Sequence, residues 1–192
     1  MARQKEFERE TVLKQAIGVF SDHGFEGTST DVLLKAMGIS RQSMYDTFGD
    51  KWKLYLEALQ RYVTESVSSQ VAALNGKASP IKGVEALLET MIQTALANPA
   101  PACLGISAIC EFGHSEREVT LVTEISGRAL LSALETRLSE AVGTGEAPQD
   151  LVPTDAAQFI LAMLTGIKVA ARAGASSEIL HGIARTAVRS LR

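Results

Sequence analysis

Residues 28–51 read TSTDVLLKAMGISRQSMYDTFGDK, and the rest of the chain is organised around them. The pattern predicts two short helices joined by a tight turn. The first runs from about Thr30 to Met37, with Val32, Leu33 and Ala36 as its inward positions. Gly38 follows, where a left-handed residue ends a helix at least steric cost. Ile39 plugs the corner, and Ser40 is placed to cap a second helix starting at Arg41. Met44 and Phe48, four apart, face inward and leave Arg41, Gln42, Ser43 and Thr47 outward. The result is a helix-turn-helix whose second helix carries hydrogen-bond donors.

These residues also carry a family resemblance. Ser29-Thr30, the turn Gly38-Ile39-Ser40, then Tyr45, Phe48 and Lys51 at intervals of three match a specific pattern. It is similar to the N-terminal domain of the TetR family of transcriptional regulators. A generic helix-turn-helix does not require the Tyr-x-x-Phe-x-x-Lys tail. Leu34 departs from the pattern, standing where many members carry a small Ala. The resemblance implies a double-stranded DNA operator as partner, contacted by Ser29, Thr30, Arg41, Gln42, Ser43, Tyr45, Thr47 and Lys51. Within that set it implies base contacts from Arg41, Gln42 and Ser43, and phosphate contacts from Thr30, Tyr45 and Lys51.

Outward from the motif, apolar residues recur at helical spacing, and proline is scarce among the 192 residues. The expected class is all-α, with about nine helices. The first helix runs from near Glu6 to His23, with Leu13, Ala16, Ile17 and Phe20 inward. A long fourth helix starts beside Asp50 and ends at Asn75-Gly76. Ser79-Pro80 opens a fifth, whose broad apolar face includes Val84, Leu88, Met91 and Ile92 and ends at Asn98-Pro99. Ala102 to Phe112 forms a short sixth. Ser115-x-x-Glu118 is a capping box for the seventh, with Val119, Val122, Ile125 and Leu130 on one side. Two further helices follow Pro153 and Ser177, the last with Ile179, Ile183 and Ala187 inward. The expected domains are 1–53, the helix-turn-helix domain, and 54–192, an effector-binding and dimerisation domain.

The order CLGISAICEFG, capping box, long helix, Gly- and Pro-containing loop and a helix ending ARAGAS resembles an AcrR-like subgroup of the same family. The resemblance implies a homodimer built from the last two helices, the first of which is rich in small residues, Ala162, Gly166 and Ala170 among them. It implies a ligand-responsive regulator, most often a repressor on a palindromic operator, released by a small-molecule effector of unknown identity. Met91, Ile92, Ala95 and Cys103 are the candidate effector contacts. The long fourth helix becomes the connector that swings when ligand binds.

Charge argues against bulk attraction to nucleic acid. The net charge is −3, and over residues 1–53 Lys and Arg only balance Asp and Glu. Local cations remain: Arg3, Lys5, Arg9 and Lys14 near the N-terminus, and Arg41, Lys51 and Lys53 near the second motif helix. No apolar run follows Met1 and the most apolar segment is too short to span a bilayer, so a soluble cytoplasmic protein without a membrane partner is expected.

Other chemistry is thinly supplied. There is no phosphate-binding glycine loop, His-x-x-x-His or Cys-x-x-Cys, so neither cofactor nor bound metal is expected. Cys103 and Cys110 on one helix stand about 10.5 Å apart along its axis, beyond disulfide reach. A thiol enzyme using either cysteine with His114 as base, a metal site from the same three residues, and a helical interaction module are the alternatives. Nothing else in the chain supports the thiol nucleophile, Cys103 stands too far from Cys110 to share a metal without a second segment, and the interaction module leaves the Tyr45–Lys51 pattern unexplained, so no enzyme is expected. A sharper alternative is electrophile or redox sensing through Cys103, whose sulfur opens a helix where unpaired N–H groups favour thiolate. Cys110, late on that helix, is expected in apolar company and inert.

Overall fold

The computed structural model describes residues 8–97 and 103–192. Arg3, Lys5, the Asn98-Pro99 stop and the Ala102 start lie outside the described residues. Among those described there are nine helices and no strand. They are α1 Arg9–His23, α2 Thr30–Met37, α3 Arg41–Phe48, α4 Lys51–Asn75, α5 Pro80–Ala97, α6 Leu104–Phe112, α7 Arg117–Thr144, α8 Pro153–Arg172 and α9 Ser177–Arg189.

The chain divides into two compact units. One comprises Met1–Thr64 and Pro101–Glu124, the other Glu65–Ala100 and Ile125–Arg192. The first unit is thus larger than the expected 1–53 segment. Leu104 and Ala108 of α6 and Val119 of α7 are buried in one core with Phe20, Leu33, Met44 and Leu54, which draws α6 and the start of α7 into it.

In the second unit, α5 packs on α8 and α9. Val84, Leu87, Leu88, Met91 and Ile92 meet Ile160, Leu164, Ile167, Leu180 and Val188 in an almost wholly aliphatic core. A Cβ at Gly83 would lie 2.2 Å from the Leu74 carbonyl oxygen, so this crossing of α4 and α5 tolerates only glycine. Glu146 closes the start of α5, accepting from the Ser79 hydroxyl at 2.5 Å and the Ile81 N–H at 3.2 Å. Chiefly through the Ser79 hydrogen bond, its carboxyl is held below the ordinary value.

Several apolar positions differ from their expected orientation. On α2, Leu33 and Met37 are buried, whereas Val32 is 44% exposed and Ala36 lies outside. A helix of two turns covers one narrow stripe, and the 33/37 pair takes it. Ile125 and Ile179 are more than half exposed, with Leu130 and Leu180 buried in their neighbourhood of the sequence. The capping box at α7 does not form: the Ser115 hydroxyl donates back to the Phe112 carbonyl at 2.7 Å, and Glu118 is taken by Trp52. Ser176, not Ser177, caps α9.

By length and composition α8 could cross a membrane, although it packs against α5 and α9. Its outer side is unusually bare. Phe159 and Val169 are exposed, and a Cβ at Gly166 would meet nothing within 4 Å.

Candidate nucleic-acid interface

Local chemistry builds the motif. Ser29 caps α2, accepting from the Val32 N–H at 3.3 Å, so Thr30 becomes the first helical residue. Gly38 takes the left-handed conformation at φ 64°, and the Ile39 N–H returns to the Leu34 carbonyl at 3.3 Å. Ser40 then caps α3 through the Ser43 N–H at 3.1 Å. Met44 and Phe48 are buried, which fixes the rotation of α3 about its axis. Arg41, Gln42 and Tyr45 consequently lie exposed, with Ser43 and Thr47 half-buried at the edge of the same helix.

The outward side chains are held by their own neighbours. Arg41 pairs with Asp31 of α2 at 2.6 Å, and Gln42 donates to Asp46 at 2.7 Å. Both pairs are exposed, and an exposed ion pair is worth only about 0–1 kcal/mol. Exchanging Asp31 for another acceptor therefore costs little. The Ser43 and Ser40 hydroxyls share a 2.9 Å hydrogen bond. Lys51, at the start of α4, places its ammonium 4.0 Å from the centre of the Phe25 ring. Asp50 caps α4 by accepting from the Lys53 N–H at 2.8 Å. Arg9, expected among the N-terminal cations, is bonded to Glu57 at 2.6–2.7 Å and lies over the Phe48 ring.

A support beneath the motif was not visible from its own residues. The Glu111 carboxylate of α6 accepts from the backbone N–H groups of Phe25 and Glu26 at 2.9 and 2.7 Å, clamping the α1–α2 loop. Phe25 stacks edge-on against Trp52 and Tyr55, and Phe112 of α6 completes the aromatic cluster. The Trp52 indole donates to Glu118 of α7 at 2.9 Å. Tyr55 is fully buried and its hydroxyl has no hydrogen-bond partner among the described residues. Burial first, and then the Glu111 charge, push that phenol above its ordinary value. The hydrogen bonds to Glu111 and Glu118 span 66 to 86 residues, beyond the reach of any local sequence pattern.

The candidate effector residues fall in different places. Met91 and Ile92 are buried in the aliphatic core of the second unit, and Ala95 is half-buried. Cys103 belongs to the first unit, where it is half-buried at the N-cap of α6 and interacts with Tyr62. Burial first, and the neighbouring Cys103 second, raise the Tyr62 phenol above its usual range. Cys110 corrects its expectation: the side chain is exposed on α6, because Leu104 and Ala108 take the inward stripe. Among the described residues, no group of three or more His, Cys, Asp or Glu is placed to hold a metal, which removes the Cys103–Cys110–His114 set.

Residues 12–58 match the profile of the bacterial regulatory proteins of the tetR family. The HTH-type transcriptional regulator YezE of Bacillus subtilis (strain 168) is 34% identical over 148 residues, 76% of each chain. ComR of Escherichia coli (strain K12), an HTH-type transcriptional repressor, is 28% identical over 193 residues, covering 97% of this chain and 90% of its own. Among solved structures, a cysteine-substituted CifR, a TetR family transcriptional regulator complexed with 26-bp double-strand operator DNA, superposes with a TM-score of 0.88 at 25% identity over 100% of both chains. With the helix-turn-helix capped and braced as described, and relatives that are regulators rather than enzymes, the chain belongs to the TetR family of DNA-binding transcriptional regulators.

Proposed function

We propose that the protein is a ligand-responsive repressor in the cytoplasm that binds a palindromic operator as a homodimer and leaves it when a small-molecule effector binds. The observation that carries the reading is the exposed face of α3, with Arg41 and Gln42 on it and Lys51 following its C-terminal end in the chain. Arg suits guanine and Gln suits adenine in the major groove, and Thr30, Tyr45 and Lys51 supply donors for phosphate. Ser29, Ser43 and Thr47 complete the set. CifR's capture on operator DNA, and ComR's description as a repressor, support this use of the fold.

The homodimer draws support from the bare outer side of α8. Exposed Phe159, Gly166 and Val169 on α8, with Ile179 exposed on α9, let a second helix pair approach closely. Two copies then address successive major grooves about 34 Å apart. In this scheme residues 1–53 read DNA and residues 54–192 bind effector and partner, with α4 as connector. An effector held by Met91, Ile92, Ala95 or Cys103 acts by favouring a dimer whose recognition helices no longer match that spacing.

The test is selection from random duplexes, followed by sedimentation of the complex. The expected product is an inverted repeat bound by two chains. A direct half-site bound by one chain overturns the proposal.

A second reading, sensing through Cys103, rests on the contact of this N-cap thiol with Tyr62. Maleimide labelling followed by mass spectrometry separates the thiols. Modification of exposed Cys110 before Cys103, or undiminished release from operator by Cys103→Ser, removes it.

A further inference from the structure

Between α5 and α9 of the second unit lies a groove of about 260 Å³, floored by Leu88, Ala184 and Val188. Its rim is charged but unevenly matched. Glu85 is neutralised by Arg192 at 2.9 Å. Glu89 accepts from the Gln93 amide at 2.6 Å and lies 3.1 Å from His181 Nε2. Both acids are therefore engaged. Arg185 and Arg189 also line the groove, are exposed, and their side chains make no ion pair or hydrogen bond among the described residues. Four residues apart on one helix, they stand about 6 Å from each other along the axis and face the same way.

We propose that this groove binds a small amphiphilic carboxylate, its anion held by Arg185 and Arg189 and its hydrocarbon lying on Leu88, Ala184 and Val188. Guanidinium groups recognise carboxylate through paired, charge-assisted hydrogen bonds, which a neutral or cationic head cannot supply. The volume lies just below the usual range of about 300–1,000 Å³ for ligand pockets, so the ligand has a short chain. Met91, Ile92, Ala95 and Cys103 do not line this groove, so it is a site separate from the candidate effector contacts. It is also separate from the bare side of α8, because Phe159, Gly166 and Val169 do not line it.

The probe is hexanoate, titrated into the DNA-free protein by calorimetry, with hexylamine and hexanol as head-group controls. Side-chain methyl resonances of Leu88, Ala184 and Val188 report location. Saturable binding of hexanoate alone is expected, with shifts at those methyls. Arg185→Gln with Arg189→Gln should weaken it at least ten-fold, and Ala184→Leu, which fills the groove without touching charge, should do the same. Equal affinity in wild type and either variant overturns the proposal. So does equal binding of hexanol, or shifts confined to Met91 and Ile92.

Discussion

The two compact units use opposite means to hold helices together. In the first, a short loop and three small helices are fastened by aromatic edges and directional hydrogen bonds: Phe25 against Trp52 and Tyr55, and Glu111 on two backbone N–H groups. In the second, long helices meet through aliphatic and small side chains, and one apolar side of α8 remains uncovered. The difference is physical. Hydrogen bonds and ring edges fix orientation as well as distance, which a surface that must match base edges requires. Aliphatic contact is non-directional, so it tolerates displacement and suits helices that exchange partners or admit ligand.

The largest expected effect tests the uncovered face. A Cβ at Gly166 meets nothing within 4 Å, so Gly166→Leu should leave the single chain folded. If the face pairs with a second copy, the added bulk separates the copies. Operator affinity should then fall at least about 100-fold, because two linked half-sites bind far better than one. Sedimentation should show monomer. A stable dimer with normal operator binding places the seam elsewhere.

The directional unit is probed next at its exposed donors. Arg41→Ala should cost roughly 1–3 kcal/mol on the best operator and relax one base position. Lys51→Ala should weaken all sequences similarly and reduce the salt slope by about one. Binding measured against a panel of operator variants at several salt concentrations distinguishes the two roles. A Lys51 loss that depends on sequence and leaves the slope unaltered breaks the assignment.

A smaller effect concerns the flaw in the aromatic cluster. The Tyr55 hydroxyl is buried without a partner among the described residues, and an unpaired buried polar group costs about 1–3 kcal/mol. Tyr55→Phe should therefore raise unfolding free energy in guanidinium by about 1 kcal/mol. Lower stability means that the hydroxyl has a function in holding the cluster.

The smallest effect belongs to the second unit and concerns pH. The folded-state pKa of Glu146 is lowered, so its contribution is present above the ordinary carboxyl value of 4.5 and is lost as pH falls through and below it. Glu146→Gln should flatten the acid limb of the stability curve in that window and leave its slope near neutrality unchanged. An unaltered acid limb shows that the Ser79 hydrogen bond does not distinguish folded from unfolded chain.

The amino-acid sequence by itself determined what depends on near neighbours. Ser40, Gly38, Asp50 and Pro80 mark helix ends because capping and turn geometry are settled within about four residues. Met44 and Phe48 place Arg41 and Gln42 outward for the same reason, and the family pattern from Ser29 to Lys51 is contiguous. Only the tertiary structure decided which apolar stripes are covered. Helical spacing makes Val32 and Leu33, or Ile179 and Leu180, similar candidates, and a partner helix distant in sequence buries one and leaves the other exposed. The Glu111 clamp, the Arg41–Asp31 pair, the Trp52–Glu118 bond and the paired acids of the α5–α9 groove belong to this second class. Each joins groups brought together by packing, and a charged or polar side chain gives no sign in one dimension of which partner, among many of equal chemistry, folding will set beside it.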